Sequence, residues 1–285
     1  MAKKRTVKNR KKRLLAILGA VVLFVVVVLG VLQLGVVYTE NSWDNWKPDY
    51  EKADIGGLLK KAELTEADYE TLYAQTGLTR LGIDGLLAAG KRDRILAIQE
   101  HYFADHEAEA RHFAPFTYQE EVNANAAFAI VEDGDVIVSA SVRVSWFRYG
   151  HAALVVDGAN ERILEAISPG CESEMNYVSA FQSFSNFIIL RPKVEKETKA
   201  EIARYARENM VDIPYRLTEG VLSKKYAPEG LTGTQCAHLV WYAYKRFGYD
   251  LDSTGGAVVK PRDMAQSPLM EVVQVYGFDP DTLWS

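Results

Sequence analysis

An apolar run near the amino terminus limits what this chain can fold into more than any other feature. The 24 residues from Leu14 to Val37 contain one polar side chain, Gln33. As a helix the run would extend roughly 36 Å, more than the hydrocarbon thickness of a bilayer, which is about 30 Å. A signal peptide usually has a shorter apolar region followed by a small-residue cleavage site, and a core helix would leave the charged flank unexplained. The sequence therefore predicts a transmembrane helix over residues 14–37.

The charges on the two sides of this run predict its orientation. The first thirteen residues carry eight of the 33 lysines and arginines and no acidic residue, which leaves 25 basic against 38 acidic side chains in the rest of the chain. The positive flank indicates a cytoplasmic tail over residues 1–13 and an outward-facing chain beyond it. The residues predicted at and beyond the outer interface of the membrane are Tyr38, Trp43 and Trp46, then Glu40 and Asp44. The excess of acidic residues argues against a nucleic-acid partner.

The next part of the chain is predicted to be a linker, residues 38–53, followed by a helical region, residues 54–115. The linker is polar and has no sustained periodicity. In the helical region, Thr65 and Asp68 are spaced to cap the start of a helix that Gly77 ends. A second helix is predicted from Arg92 to His112, and we expect these helices to pack on the domain that follows or on each other.

Three histidines in the helical region invite comparison with a metal site. His101, His106 and His112 are spaced by five and six residues, whereas a spacing of four would place imidazoles on one face of a helix. We therefore expect solvated or capping histidines here and no bound metal.

The pattern changes from helical to extended after Pro115. Alternating and β-branched runs surround turns at residues 133–135 and at Gly158, and FIILRP is a further strand. A helix is predicted from Glu195 to Asn209 and another over CAHLVWYAYKRFG, which Gly248 ends. Strands followed by these helices predict an α+β domain with an antiparallel sheet over residues 116–285.

Cys236 lies at the first turn of the second of these helices, where Thr234 is able to cap. Unpaired N–H groups and the positive end of the helix dipole stabilise a thiolate, which makes this cysteine a candidate nucleophile. The alternative is a buried cysteine that packs as a small apolar side chain. Cys171 could form a disulfide with Cys236 in an oxidising compartment, but the setting of Cys236 favours two free thiols.

His151 and Glu165 are predicted to face each other across a hairpin. If the hairpin is centred on Gly158, these two residues are directly opposed, with Cβ atoms about 5 Å apart, so that the carboxylate can orient the imidazole. A register slip of one residue would separate them, and either residue alone would be an ordinary surface side chain of a strand. A general base, an acid that orients it and a thiol at a helix start are the groups that cysteine-based acyl transfer requires.

An ordered set of segments resembles a known family. GDVIVSAS, GHAALVVDG with ILEAI, FIILRP, IPY, TQCAHLVWYAY, GYDLD and VVKPRDMAQSPLMEVV, covering Glu132 to Val275, resemble the circularly permuted branch of the NlpC-type papain-fold cysteine hydrolases, the YiiX-like proteins. The helical region resembles the amino-terminal part of membrane-tethered members. The resemblance implies that Cys236 is the nucleophile, His151 the general base and Glu165 the residue that orients it.

Two further residues enter through the resemblance. Tyr215, in IPY, matches an aromatic residue often found near the active site in this family, and the resemblance implies a contact with substrate. The family often has Ser and Glu after the cysteine, where this chain has Ala237 and His238. His238 lies two residues from Cys236 on the same helix and points to a different face, which makes it a weaker candidate for the base than His151.

The expected function is that of a membrane-anchored, extracytoplasmic cysteine peptidase or amidase acting on cell-wall peptides, the substrate class that the resemblance implies. Two alternatives remain open: a thiol acyltransferase or lipid amidase, and a catalytically inactive tethered binding protein. The chemistry requires no metal or organic cofactor. A single membrane anchor suits a bacterial cytoplasmic membrane, and the oligomeric state is left open.

Overall fold

A computed structural model describes residues 2–40, 46–114, 117–144 and 147–284. The predicted interface residues Trp43 and Asp44, and Pro115, after which the sequence predicts extended structure, lie outside these ranges. The described helices are α1 (Ala2–Glu40), α2 (Glu66–Thr76), α3 (Arg80–Ala88), α4 (Arg92–Phe103), α5 (Lys196–Asn209), α6 (Cys236–Arg246) and α7 (Pro261–Ala265).

The described strands are β1 (Ala108–Ala114), β2 (Thr117–Val122), β3 (Val136–Ser139), β4 (Val142–Val144), β5 (Phe147–Arg148), β6 (His151–Asp157), β7 (Arg162–Glu165), β8 (Glu174–Tyr177), β9 (Phe187–Pro192) and β10 (Met270–Tyr276). All pairs between these strands are antiparallel. The chain is therefore a mixed α+β protein, as the sequence predicts.

Helix α1 contains the predicted apolar run. Its window from Arg10 to Gly35 is long and apolar enough to cross a membrane, and none of it is buried against the rest of the chain. Side chains such as Phe24, which is 69% exposed, would be costly in water. This exposure contradicts the alternative of a core helix.

A six-stranded sheet in the order β10-β9-β3-β6-β7-β8 forms the centre of the fold. Because successive side chains of a strand point to opposite faces, the sheet has two apolar surfaces. Val138, Leu154 and Leu190 face α5 and α6, whereas Ile137, Val155 and Ile189 face the cluster that includes α2, α3 and α4. The helical region thus covers one face of the sheet, in agreement with the expectation that it packs on the domain that follows.

The ends of the helices follow local capping chemistry in part. Thr65 and Asp68 form the predicted capping box of α2, and Gly77 ends that helix in the left-handed conformation. The predicted helix from Arg92 to His112 is wrong in its second half. Helix α4 ends at Phe103, and residues 108–114 form β1, because the alternating segment AEARHFA pairs along its length with β2.

A second, four-stranded sheet in the order β1-β2-β4-β5 lies beside the first. The carboxylate of Glu120 on β2 contacts the guanidinium groups of Arg143 on β4 and Arg148 on β5, and both Glu120 and Arg143 are buried. Strands β4 and β5 also carry the chain from Ser139 to His151. This sheet therefore positions the segment that precedes the predicted base.

Candidate active site

Cys236 is the first residue of α6, as predicted. It follows Gln235, which has an extended backbone, and no described side chain caps this end of the helix. The preceding residues are fixed by a short pairing with a neighbouring segment: the Thr234 N–H donates to the Pro214 carbonyl at 3.0 Å, and the Arg216 N–H donates to the Thr234 carbonyl at 2.8 Å. The first N–H groups of α6 have no partner within the helix, so the site retains donors for a developing oxyanion.

The proposed capping role of Thr234 is wrong. Its hydroxyl lies 3.0 Å from His238 Nδ1, and His238 Nε2 lies 2.7 Å from the Lys225 carbonyl oxygen. The carbonyl can only accept, so Nε2 carries the proton, and burial lowers the His238 pKa. His238 is thus a neutral, satisfied side chain, in agreement with its ranking below His151 as a candidate base.

The His151–Glu165 hairpin has a different register from the predicted one. Glu165 is opposite Ala153 rather than His151, because the turn centre is displaced and the pairing carries an irregularity between Val155 and Asp157. The displacement is two residues, so both side chains remain on the same face of the sheet. His151 Nε2 lies 2.7 Å from Glu165 Oε2, which is the contact that the sequence predicts.

Glu165 is held by a residue that the sequence analysis missed. Asn176 Nδ2, on β8, donates to Glu165 Oε1 at 2.7 Å, so each carboxylate oxygen has its own partner. Phe181 stacks on the His151 ring, with ring centroids 5.5 Å apart and an angle of 18° between the planes. No local pattern around Asn176 or Phe181 indicates these contacts, since both depend on how β8 and the following turn return to the hairpin.

His151 has Cys236 as its second partner. Burial lowers the His151 pKa, but hydrogen bonds to the Cys236 thiol and to Glu165 outweigh burial and raise the pKa from 6.5 to about 10. Burial raises the Glu165 pKa, and its hydrogen bond and charge interaction with His151 outweigh this, so that the pKa is lowered. The ring therefore holds its proton at neutral pH beside a carboxylate. Nε2 faces Glu165, which leaves Nδ1 as the ring nitrogen available to the Cys236 sulfur.

Cys236 lines an apolar cavity of about 270 Å³. Tyr149 and Tyr215 lie in its wall, and burial together with the nearby Cys236 raises the pKa of each hydroxyl. Both hydroxyls therefore remain protonated at neutral pH and can donate to a bound group. Most of the remaining lining is apolar: Val144, Phe147, Leu217, Val258, Val259 and Pro261, with Gln235 and Lys260.

A second depression, of about 410 Å³, has His151 but not Cys236 in its lining and is more polar. It is lined by His151 and Glu165, and by the polar side chains of Asn176, Gln119 and Ser183. The thiol therefore lines an apolar cavity and the imidazole a more polar one.

The remaining residues singled out in the sequence lie away from this pair. Cys171 and Cys236 are both free, which confirms two thiols without a disulfide. Of the histidines expected to be solvated or capping, His101 is buried, with its ring centroid 4.3 Å from that of His106, so it is not solvated, whereas His112 is exposed. No group of three or more potential ligands that could hold a metal occurs among the residues the structure describes.

Gly150 fixes the entry of the chain into His151, and its replacement tests that role. It has a φ of +79°, and a Cβ there would lie 2.4 Å from the Ser139 carbonyl oxygen and 2.8 Å from the Trp284 ring. We expect Gly150→Ala to lower the free energy of unfolding by about 2 to 4 kcal/mol, from backbone strain together with the clash. Urea denaturation of the full chain in detergent measures the change.

Gly90→Ala is the matched control for this prediction. Gly90 has a φ of +69°, and a Cβ there would meet no atom within 4 Å. Gly90→Ala should lower the free energy of unfolding by only about 1 kcal/mol, the cost of placing a residue with a Cβ at positive φ. Equal losses in the two variants would show that the close contacts at Gly150 do not constrain the start of β6.

Comparisons with protein-family models, with curated proteins and with solved structures find no match to this chain.

Proposed function

We propose that this protein is a membrane-anchored thiol hydrolase that cleaves amide bonds through an acyl-Cys236 intermediate. The observation that supports this most directly is the buried His151 ring, which lies 2.7 Å from Glu165 Oε2 and close enough to the Cys236 thiol for that thiol to raise the His151 pKa. The same three residues are those that the resemblance to permuted NlpC-type papain-fold hydrolases, the YiiX-like proteins, assigns as nucleophile, base and orienting acid. Membership of that family is part of the proposal.

The geometry supports a stepwise reaction. The Cys236 sulfur, with its proton on His151 Nδ1, attacks the substrate carbonyl, and N–H groups at the start of α6 bind the oxyanion. The C–N bond then breaks as His151 Nδ1–H protonates the leaving nitrogen, which releases the amine and leaves a thioester. The neutral imidazole next accepts a proton from water, whose oxygen attacks the thioester. Collapse of this second adduct releases the acid and restores the protonated imidazole and the thiolate.

The location proposed for this chemistry is the outer face of a bacterial cytoplasmic membrane. Helix α1 would cross the bilayer once, with the basic residues 1–13 in the cytoplasm. The hydrolase domain would then face the cell wall, whose peptides are the substrate class implied by the resemblance. Tyr215 would contact the bound substrate, since it lines the cavity that contains Cys236.

A second candidate function is supported by the lining of that cavity. The acyl part of a substrate becomes attached to Cys236, and therefore occupies the side of the site that Val144, Leu217 and Val258 make apolar. The leaving group takes a proton from His151, on the polar side. A substrate with an apolar acyl chain and a polar head fits this division, which supports a lipid amidase or thiol acyltransferase as the second candidate.

The pH dependence of Cys236 alkylation tests the thiol–imidazole pair without assuming a substrate. In the full chain carrying Cys171→Ser, we expect iodoacetamide to modify Cys236 at pH 6 at a rate within about tenfold of the rate at pH 8.5. For an ordinary thiol with a pKa of about 8.5, the alkylation rate falls more than 100-fold from pH 8.5 to pH 6, because the thiolate fraction falls by that factor. Because both rates are measured on the same protein, slow access of the reagent to the buried sulfur affects them equally and does not change their ratio.

His151→Ala should restore the steep pH dependence of an ordinary thiol, because the imidazolium beside the sulfur is lost. His112→Ala, which removes an exposed histidine, is the matched control and should leave the ratio unchanged. If the parent protein shows the rate ratio of an ordinary thiol, and His151→Ala does not change that ratio, the hydrolase proposal is refuted and a tethered binding protein is favoured.

A further inference from the structure

Large apolar side chains are exposed around the mouth of the Cys236 cavity. Phe147 and Leu217, which line the cavity, are 58% and 62% exposed. The turn that follows Leu217 adds Val221 and Leu222, the latter 81% exposed. We call these four residues the apolar rim. Exposed apolar residues scattered singly are ordinary, but a group of them that extends from the lining of a cavity marks an interaction surface.

The turn that carries three of these residues is fixed in place. The side-chain amide of Gln235, the residue before the nucleophile, donates to the Leu217 carbonyl at 2.7 Å. Gly220 has a φ of +84°, and a Cβ there would lie 2.1 Å from the Ala257 carbonyl oxygen, so the turn packs tightly on the cavity wall. The apolar side chains of the turn are therefore held outward by the same contacts that shape the site.

The charged side chains beside the apolar rim are basic, whereas the chain after residue 13 has a net negative charge. Arg216, Lys224 and Lys260 are exposed and form no ion pair with any residue the structure describes. Glu219, the acidic residue of the turn, is buried. The chain after residue 13 carries 38 acidic against 25 basic side chains, these three included. A basic and apolar surface on an acidic domain fits a negatively charged, apolar partner.

The connection to α1 keeps such a partner within reach. Trp46 packs on Tyr102, with ring centroids 5.7 Å apart, so the folded domain begins at residue 46. Helix α1 ends at Glu40, and the six peptide units between Glu40 and Trp46 span at most about 21 Å. If α1 crosses a bilayer, the domain lies against that bilayer.

We propose that the apolar rim docks on the outer surface of the bilayer that holds α1, with Arg216, Lys224 and Lys260 contacting anionic lipid headgroups. Docking opens the apolar cavity of Cys236 toward the acyl chains, so that substrate enters from the membrane. The proposal rests on the membrane-spanning role of α1 and does not require that Cys236 be reactive.

Fluorescence quenching in nanodiscs tests this docking. The full chain carrying Cys171→Ser, Cys236→Ala and Leu222→Cys is labelled with bimane and reconstituted with phosphatidylglycerol or with phosphatidylcholine, each containing doxyl-labelled lipid. We expect at least twofold quenching of the label at residue 222 in phosphatidylglycerol, and less in phosphatidylcholine. Co-purification with the nanodisc shows that α1 is inserted, so the result reports on the rim.

The matched control carries the label at Tyr177→Cys in the same background. Tyr177 is 51% exposed but lies on β8, at the far edge of the six-stranded sheet from β10 and outside the apolar rim. Its label should be quenched little in either lipid. Equal quenching of the two labels, or no quenching at residue 222 in phosphatidylglycerol, would overturn the docking proposal. Alkylation of Cys236 is unaffected by either result, so failure of docking and failure of the hydrolase are separate outcomes.

Discussion

His151→Ala should slow the release of an amine far more than the release of a good leaving group. We expect kcat/KM for an acyl p-nitroanilide to fall by about 10³- to 10⁴-fold, and that for the p-nitrophenyl ester of the same acyl group by about 10- to 100-fold. In the proposed reaction the amine receives a proton from His151 Nδ1 as the C–N bond breaks, whereas nitrophenolate leaves without one. The ester therefore reports loss of the thiolate alone, and the ratio of the two losses isolates the general acid.

The comparison of the p-nitroanilide with the p-nitrophenyl ester needs two controls. Cys171→Ser, which removes the exposed free thiol, should leave both rates unchanged, and Cys236→Ala should remove the thioester that mass spectrometry detects after mixing with the ester. If His151→Ala lowers both rates by the same factor, the imidazole only activates the sulfur, and protonation of the leaving group must be assigned to another residue.

Glu165→Leu should destabilise the fold more than most single substitutions in this chain. It leaves a buried imidazole without the carboxylate that supports its charge, and removing one partner of a buried pair costs about 3 to 5 kcal/mol. It also leaves the Asn176 amide without its acceptor. Urea denaturation of the full chain in detergent measures the loss.

Replacing both members of the pair is the matched control. Glu165→Leu combined with His151→Phe removes both buried charges and keeps an aromatic ring against Phe181. This variant should recover at least half of the lost stability, because two apolar side chains need no partner. A double variant less stable than Glu165→Leu alone would show that the loss comes from packing around Glu165 and not from the unpaired imidazole.

The pair also predicts how stability depends on pH. The His151 pKa is raised in the folded protein, so this group stabilises the fold fully below pH about 6.5 and loses that contribution as pH rises to about 10. The Glu165 pKa is lowered, so its contribution is present above pH about 4.3 and is lost as pH falls through the lowered value. The difference in unfolding free energy between the parent and the double variant should therefore shrink between pH 6.5 and 10.

Local patterns were sufficient to predict the parts of the site that depend on one element. The apolar stripe after Gln235 predicts α6 and places Cys236 at its start, and FIILRP is a strand as expected. The His151–Glu165 contact was predicted from a strand register that differs by two residues from the register in the structure. It survives because side chains alternate with a period of two, so an error of two residues preserves the face.

The parts that the sequence did not predict depend on contacts between distant segments. Asn176 reaches Glu165 only because β8 pairs with β7. The change from α4 to β1 is set by the partner strand β2, since AEARHFA on its own suits a helix as well as a strand. The apolar lining of the Cys236 cavity comes from three separate stretches of chain, which no spacing within one of them reveals.

The helical layer over the sheet sets an order of events during synthesis. Residues next to α2 bond to the last strand: the Thr79 N–H donates to the Val273 carbonyl, and the Val275 N–H donates to the Gly77 carbonyl at 2.8 Å. At roughly 5 to 20 residues per second, the ribosome needs about 10 to 40 s to make the chain between these positions. The apolar face of α2–α4 therefore stays without its partner strand β10 for that interval, which makes it the surface of the nascent chain most open to misfolding.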